Sequence, residues 1–472
     1  MEAKKPFYIT TPIYYVNGLP HIGHAYTTVA ADIVARFQRR DGKEVFFSTG
    51  TDEHGMKIEQ KAKELGKDPQ EFVDEIAEAF QNLWKRLNIS HDRFIRTTES
   101  THKAVVEKVL QDFYDRKIIY KGEYEGLYCT GCEQFKNPSD LIDGKCPEHG
   151  TVPVFTKEES YLMKMTSMQE ALVQKIKSDD LLVMPEKYKA EILSFLEGEK
   201  LEDVSISRKN VDWGIPLPFD QTHTTYVWVD AFLNYLTALG WDGNKENVPT
   251  AWPADVQLIG KDILRVHGTI WPIMLLHLGL PTQKCLLVNG FILSGGRKMS
   301  KTVGNVISVD EMLEKFGTDG TRYLLLSAGP YGSDVDLTME RMVETYNAHL
   351  ANGLGNLVSR ALKLAEQLES LPETIVSSTN SSSDHHLADL NISEALKEVM
   401  GLVSRANIFM DKEKPWILVK ENREEFNLVM KNLFSQLSYI AFGLKPFMPA
   451  TAEKIQTALE TGKTEPLFQR IA

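Results

Sequence analysis

Apolar positions in the first fifty residues switch between two periods. Phe7-Tyr8-Ile9-Thr10-Thr11 is a short run of aromatic and β-branched residues and predicts a buried strand. Gly18-Leu19-Pro20 supplies turn chemistry behind it. From Gly23 to Arg40 the apolar positions Ala30, Ile33, Val34 and Phe37 recur at helical spacing. Val45 to Gly50 predicts a second strand, running into Thr51-Asp52-Glu53-His54-Gly55. Strand, helix and strand in this order predict a βαβ unit of a parallel sheet. Such sheets bind ligands at the carboxyl ends of their strands, where Ile13, Tyr15, His21, Asp52 and His54 fall.

The pattern breaks from Ile118 to Thr224, which carries short strands, turns and three of the four cysteines and reads as an insertion. The α/β pattern resumes with Thr225–Asp230, then Val256–Asp262, then Cys285–Gly290, so one nucleotide-binding fold is split in two. After Gly332 amphipathic helices are predicted through 339–369, 387–411 and 423–445. Val376 to His386, rich in Ser, Thr and Asn, reads as a loop or mobile linker. No internal repeat is found.

At 472 residues, 42% hydrophobic and 25% charged, the composition is that of a globular protein of several domains. No apolar run is long enough to span a membrane, and Met1–Lys5 leads into strand-like residues without a secretory h-region. The net charge of −12 weighs against nucleic-acid binding by the surface as a whole, although local basic surface decides. Arg36, Arg39, Arg40 and Lys43 form one small basic cluster and read as a solvated helix end. So few cysteines imply a reducing compartment, taken as the cytoplasm.

Cys129-Thr130-Gly131-Cys132 and Cys146-Pro147-Glu148-His149 place two candidate ligands on each of two tight turns. The four together predict one closed, structural zinc site; the alternative is surface cysteines beside an unrelated histidine. Cys285, alone in an apolar strand, reads as a core residue.

The strongest chemistry lies in His21-Ile22-Gly23-His24 and, far along the chain, Lys298-Met299-Ser300-Lys301-Thr302. A helix N-terminus attracts phosphate, Gly23 permits close approach of a ligand, and two lysines can follow charge onto a leaving pyrophosphate. In this order, with the first motif preceded by Thr10-Thr11-Pro12-Ile13-Tyr14-Tyr15-Val16-Asn17-Gly18, the pair resembles the class I aminoacyl-tRNA synthetases. The insertion between the signatures is too modest for the editing domain of the isoleucine, valine and leucine enzymes. Thr51–Gly55, Tyr226-Val227-Trp228-Val229-Asp230-Ala231, Gly260-Lys261-Asp262-Ile263 and the single four-ligand knuckle resemble the methionyl members of the class along essentially the whole chain.

That resemblance implies ATP-dependent activation of L-methionine and its transfer to initiator and elongator tRNA(Met), with magnesium accompanying ATP. It implies that Ile13, Tyr15, Asp52, Trp228, Ala231, Tyr235, Ile263 and His267 form the methionine pocket, Asp52 pairing with the ammonium. The thioether handle would be the Tyr235 hydroxyl or the Ile13 N–H. His21, Gly23, His24, Gly260, Asp262, Lys298 and Lys301 would bind ATP, with His21, His24, Lys298 and Lys301 catalytic. Asn356, Arg360 and Trp416 would read the anticodon. The family pattern usually has proline after the alanine at 231, where this chain has Phe232. Gly295, Gly296 and Gly304 suit a mobile loop beside the lysines.

The expected fold is a Rossmann-like parallel α/β sheet split by a zinc-binding insertion and followed by an all-α anticodon-binding bundle. Residues 1–117 and 225–325 would form the catalytic domain, 118–224 the connective insertion, 326–345 a stem-contact linker and 346–472 the helical domain. Many bacterial relatives continue into an OB-fold dimerisation module, so a chain ending at Ala472 is expected to be a monomer. Rival readings are another class I synthetase such as the cysteine enzyme, a tRNA-binding paralogue without catalysis, and a nucleotidyltransferase. The paralogue has no need of both signatures, and the nucleotidyltransferase requires neither the long helical tail nor the zinc insertion.

Overall fold

The central sheet of the computed structural model is built from β1 (Phe7–Tyr15), β2 (Val45–Asp52), β3 (Arg93–Arg96), β4 (Leu182–Met184), β5 (Val256–Gly260) and β6 (Cys285–Asn289). The structure describes residues 5–130, 134–136, 138, 141–147, 150–198, 200–209, 211–299, 306–373 and 382–472. The strand order is β3-β2-β1-β5-β6-β4. The β1–β5, β2–β3 and β6–β4 pairs are parallel, with Ile9 opposite Val256. Near-continuous burial along β1 and β6 is what a sheet covered on both faces requires. From β1 the chain order runs to β2 on one side and to β5 on the other. That reversal is the topological switch point, and the carboxyl ends of β1, β2 and β5 meet there.

The chain divides into two compact units: Met1–Pro20, Phe46–Asn82 and His91–Val288 form the first, and His21–Val45, Leu83–Ser90 and Asn289–Ala472 the second. The first carries the sheet core and the insertion. In the insertion, Ile119–Cys129 pairs antiparallel with Val154–Met163 in a long ribbon, from Ile119 opposite Met163 to Tyr128 opposite Val154. One expectation fails here. Thr225–Asp230, expected to open the resuming α/β pattern, only ends the strand Asp220–Thr225 and then enters a short helix, Val227–Phe232. Val227, Val229, Asp230, Ala231 and Phe232 are buried and Trp228 is half-buried, so the mainly apolar run has no solvent face and carries no period to distinguish helix from strand.

The second unit is mostly helical: α1 (Ile22–Arg40), α2 (Val309–Ser327), α3 (Asn356–Ala365), α4 (Ile392–Glu413), α5 (Pro415–Glu421), α6 (Arg423–Leu444) and α7 (Pro449–Thr461). The segment predicted helical over 339–369 includes a π-helical stretch, Tyr346–Gly355, that changes the phase of the residues entering α3. The loop expected over 376–386 is helical at its end, in Ser382–Ala388, and residues 374–381 lie outside the described residues. Ser383, Asp384 and Leu387 are buried there, so packing overrides the loop-like composition.

A buried charge cluster organises this unit. Arg322 is fully buried and meets Asp32 of α1 at 2.7 Å. Its guanidinium also donates to the carbonyls of Phe447 at 2.9 Å, Pro446 at 3.0 Å and Leu87 at 3.2 Å. Burial alone would raise the Asp32 pKa, but Arg322 and Arg36 outweigh it and hold the carboxyl below its ordinary range. Of the basic cluster at the end of α1, read as a solvated helix end, Lys43 is exposed but the three arginines are engaged with the protein. Arg36 pairs with Asp32, Arg39 donates to the Ser90 carbonyl and hydroxyl, and Arg40 pairs with Asp384 and donates to the Phe442 carbonyl.

Candidate active site

In the first unit, Ile13, Tyr15 and Asp52 of the predicted pocket lie at the carboxyl ends of β1 and β2. The Val16 N–H donates to the Asp52 carbonyl at 3.2 Å and ties the end of β1 to the end of β2. Asp52 is buried, while Ile13 and Tyr15 are half-buried. Beside Asp52, the wholly buried Glu53 receives Arg96 at 2.7 and 3.0 Å and the Thr51 hydroxyl at 2.7 Å. The Trp213 indole donates to the Glu53 carbonyl at 2.6 Å. A buried carboxylate so fully bonded fixes the backbone that carries Asp52.

The far wall is aromatic. Tyr235 and His267 are buried, with the phenol oxygen 2.9 Å from His267 Nε2. His267 Nδ1 lies 3.0 Å from the Ile263 carbonyl, which can only accept, so Nδ1 carries the proton. Burial pushes the His267 pKa down to about 4, leaving the ring neutral at physiological pH. Nε2 is therefore an acceptor, and the single proton of Tyr235 is committed to it. Burial, with Tyr8, Tyr14 and Asp52 nearby, raises the Tyr235 phenol well above its ordinary value. Phe232 stands edge-on to His267 at 5.0 Å and stacks on Trp271 at 5.8 Å, so this aromatic backs the wall. The Trp228 indole N–H is buried with no hydrogen-bond partner among the described residues. A Cβ on Gly260 would lie 2.4 Å from Asp262 Oδ1, because that carboxylate folds back over the glycine.

In the second unit, His21 is the N-cap of α1. His21 Nδ1 accepts from the Gly23 N–H at 3.1 Å, and His24 Nδ1 accepts from the His21 N–H at 3.2 Å. The rings stack at 3.5 Å. Both Nδ1 atoms are acceptors, so the ring proton of each neutral imidazole sits on Nε2. Burial and the neighbouring His21 hold the His24 pKa well below that of an ordinary histidine, so it offers a hydrogen bond rather than a charge. A Cβ on Gly23 would approach His21 Cε1 to 3.0 Å, so the glycine also makes room for the cap.

Gly295 and Gly296, both at positive φ, reverse the chain between Ile292–Ser294 and Arg297–Lys298, with Leu293 opposite Lys298. They form a hairpin turn; Lys301, Thr302 and Gly304 lie outside the described residues. In the helical region Asn356 and Arg360 sit one turn apart on α3. The Arg360 guanidinium lies 5.3 Å from the centre of the Trp416 ring and pairs with Asp411 at 2.7 Å. Trp416 is 40% exposed, and Pro415 occupies the first turn of α5, as its sequence predicts.

Of the proposed zinc ligands, Cys129 and Cys146 are buried, while Cys132 and His149 lie outside the described residues. Cys146 closes a tight turn, donating its N–H to the Thr151 carbonyl at 2.8 Å and accepting from the Gly150 N–H at 2.7 Å. The Thr151 hydroxyl lies 3.9 Å from Cys129 Sγ, so the described half of the set converges on one residue. Among the described residues no group of three His, Cys, Asp or Glu side chains could hold a metal.

Sequence reasoning passed over Asp230, His102, Glu53 and Arg208, all buried beside these elements. The one signal for Asp230 was a carboxylate inside an apolar run.

A family model described as tRNA synthetases class I (M) matches residues 7–151 and 136–362. A second, described as the anticodon binding domain of methionyl tRNA ligase, matches residues 359–469. The methionine–tRNA ligase of Clostridium acetobutylicum is 44% identical over 476 residues, covering 97% of this chain and 74% of that protein. That of Caldanaerobacter subterraneus subsp. tengcongensis is 43% identical over 481 residues, covering 98% and 75%. A solved structure of Mycobacterium tuberculosis methionyl-tRNA synthetase in complex with methionyl-adenylate is similar at a TM-score of 0.90 and 32% identity, over 99% of this chain and 100% of that one. The chain thus belongs to the class I methionyl-tRNA synthetases.

Proposed function

We propose that the chain performs its family's reaction, methionine–tRNA ligation, with the pocket of the first unit selecting the amino acid. The observation that carries the pocket assignment is the Ile263–His267–Tyr235 hydrogen-bond chain inside an aromatic wall near Asp52. A flexible thioether suits such a wall, and the carboxylate of Asp52 suits an ammonium. Ile13, Tyr15, Trp228, Ala231, Ile263 and His267 complete the lining. With the Tyr235 proton given to His267, the Ile13 N–H becomes the favoured donor to sulfur.

The methionine carboxylate attacks the α-phosphorus of ATP in line, and the bond to pyrophosphate breaks. A ribose hydroxyl of the terminal adenosine of tRNA(Met), initiator or elongator, then attacks the acyl carbon and AMP leaves. The first step needs orientation and charge stabilisation, not a protein nucleophile. His21 and His24 donate Nε2 protons to the triphosphate, Gly260 and Asp262 hold the ribose, and Lys298 and Lys301 follow charge onto pyrophosphate. Magnesium enters with ATP. Asn356, Arg360 and Trp416 read the anticodon by base-edge bonds and stacking.

The proposed division keeps 1–117 and 225–325 as the catalytic domain, 118–224 as the insertion, 326–345 as the linker and 346–472 as the anticodon domain. The paired spacing and the turn shared through Thr151 support a structural zinc on Cys129, Cys132, Cys146 and His149; metal analysis of fresh protein should find about one zinc per chain, and its absence would end that assignment. We place the protein in the cytoplasm, as its few cysteines suggest. Incubation with ATP and an equimolar mixture of methionine, leucine, isoleucine, valine and cysteine, followed by mass spectrometry of bound small molecules, should recover methionyl-adenylate. Recovery of another aminoacyl-adenylate would keep the reaction and overturn the pocket.

A further inference from the structure

One buried carboxylate joins three elements around the proposed pocket. Asp230, 1% exposed, lies in the helix Val227–Phe232 that also carries Trp228 and Ala231. Its Oδ2 is 2.6 Å from His54 Nδ1, and its Oδ1 is 2.8 Å from His102 Nε2. His54 stands two residues beyond Asp52, off the end of β2. His102 belongs to the helix Ser100–Asp115, and its Nδ1 meets the Thr237 hydroxyl at 2.8 Å. His54 and His102 are themselves buried. A carboxylate can only accept, so each imidazole turns an N–H toward Asp230, and each ring has one orientation that satisfies the set. Nothing in the proposed chemistry uses this cluster.

We propose that Asp230 is a positioning residue that sets the span of the amino-acid pocket. It fixes the wall helix, with Trp228 and Ala231, against the end of β2 that carries Asp52. The inference rests on the pocket reading above. A methionine must reach with its ammonium to Asp52 and with its thioether to the wall. The distance between those two anchors is therefore what selects its length, and the Asp230–His54 bond directly ties the elements that bear them. A small displacement of the wall would weaken methionine binding without altering how ATP is held.

The test is pyrophosphate exchange by the full chain carrying Asp230→Ala, Asp230→Asn or His102→Leu, each checked for folding by circular dichroism. Asp230→Ala should raise the methionine KM by roughly tenfold or more and leave the ATP KM within about twofold. His102→Leu, which removes one of the two ties, should show a smaller rise with the same split. Asp230→Asn can accept from one imidazole and donate to the other after a tautomer change, so it should fall between wild type and alanine. If methionine KM stays within about twofold, or if both KM values rise in parallel, the positioning role is overturned. If Asp230→Ala does not fold, Asp230→Asn and His102→Leu decide by the same split. Methionine-dependent exchange by the unsubstituted chain separates the two readings: its absence would fail the pocket, not the tie.

Discussion

Replacing His267 with glutamine removes a proton site without adding a charge. Burial sets the His267 pKa at about 4 in the fold, against 6.5 for an ordinary histidine. The unfolded chain therefore takes up a proton that the folded chain refuses. The stability linked to the neutral ring is fully present above pH 6.5 and is lost as pH falls toward 4. At about 1.36 kcal/mol per pKa unit, this single group costs about 2 kcal/mol between roughly pH 7 and pH 5. Glutamine loses the bonds to Tyr235 and Ile263 in part, so its stability falls at both pH values; only the change between them is diagnostic. His24, His277 and His349 also have lowered pKa values, but they titrate in both proteins and cancel in the comparison. Urea unfolding followed by tryptophan fluorescence at both pH values gives the four free energies needed. Wild type should lose about 2 kcal/mol more than His267→Gln over the interval. Equal losses would refute the neutral ring and, with it, the direction of the Tyr235 hydrogen bond.

Three further outcomes are expected. Arg322→Met strips a partner from the buried Asp32 and a donor from three carbonyls; it should destabilise by about 3–5 kcal/mol, seen as a lower urea midpoint, and a loss below about 1 kcal/mol would contradict the cluster's role. Lys301→Ala should slow adenylate formation in a single turnover far more than it weakens methionine binding, and equal losses would refute its assignment to the transition state. Trp416→Ala should impair charging of tRNA(Met) while leaving tRNA-independent pyrophosphate exchange intact; normal charging would remove Trp416 from the anticodon reading.

Elements whose period and flanking turns agree are legible in the amino-acid sequence alone. The strand at Phe7, the helix ending at Arg40 and the strand at Val45 are found within a few residues of their expected bounds. Val227–Phe232 is not legible in this way, because a mainly apolar run without a solvent face gives periodicity nothing to report. The site divides in the same way. Motifs hold Asp52 and Trp228, and the family resemblance adds Tyr235 and His267, but the bonds that orient them join distant parts of the chain. Asp230 lies 176 residues from His54 and 128 from His102, and no spacing rule pairs residues so far apart. The tautomers of His21, His24 and His267 follow only from which atom faces each ring nitrogen. The basic residues at the end of α1 illustrate the converse: their composition suggests solvent, and their partners are Asp32, Ser90 and Asp384.

The pocket around Tyr235, His267 and Asp52 is held to select methionine, and the choice of amino acid in the proposed function depends on it. Amino-acid-dependent ATP–pyrophosphate exchange without tRNA, comparing methionine with leucine, isoleucine, valine and cysteine, tests this most directly. The expected result is exchange with methionine and at most traces with the others. Exchange with another of these amino acids, or none with any from folded protein, would contradict it.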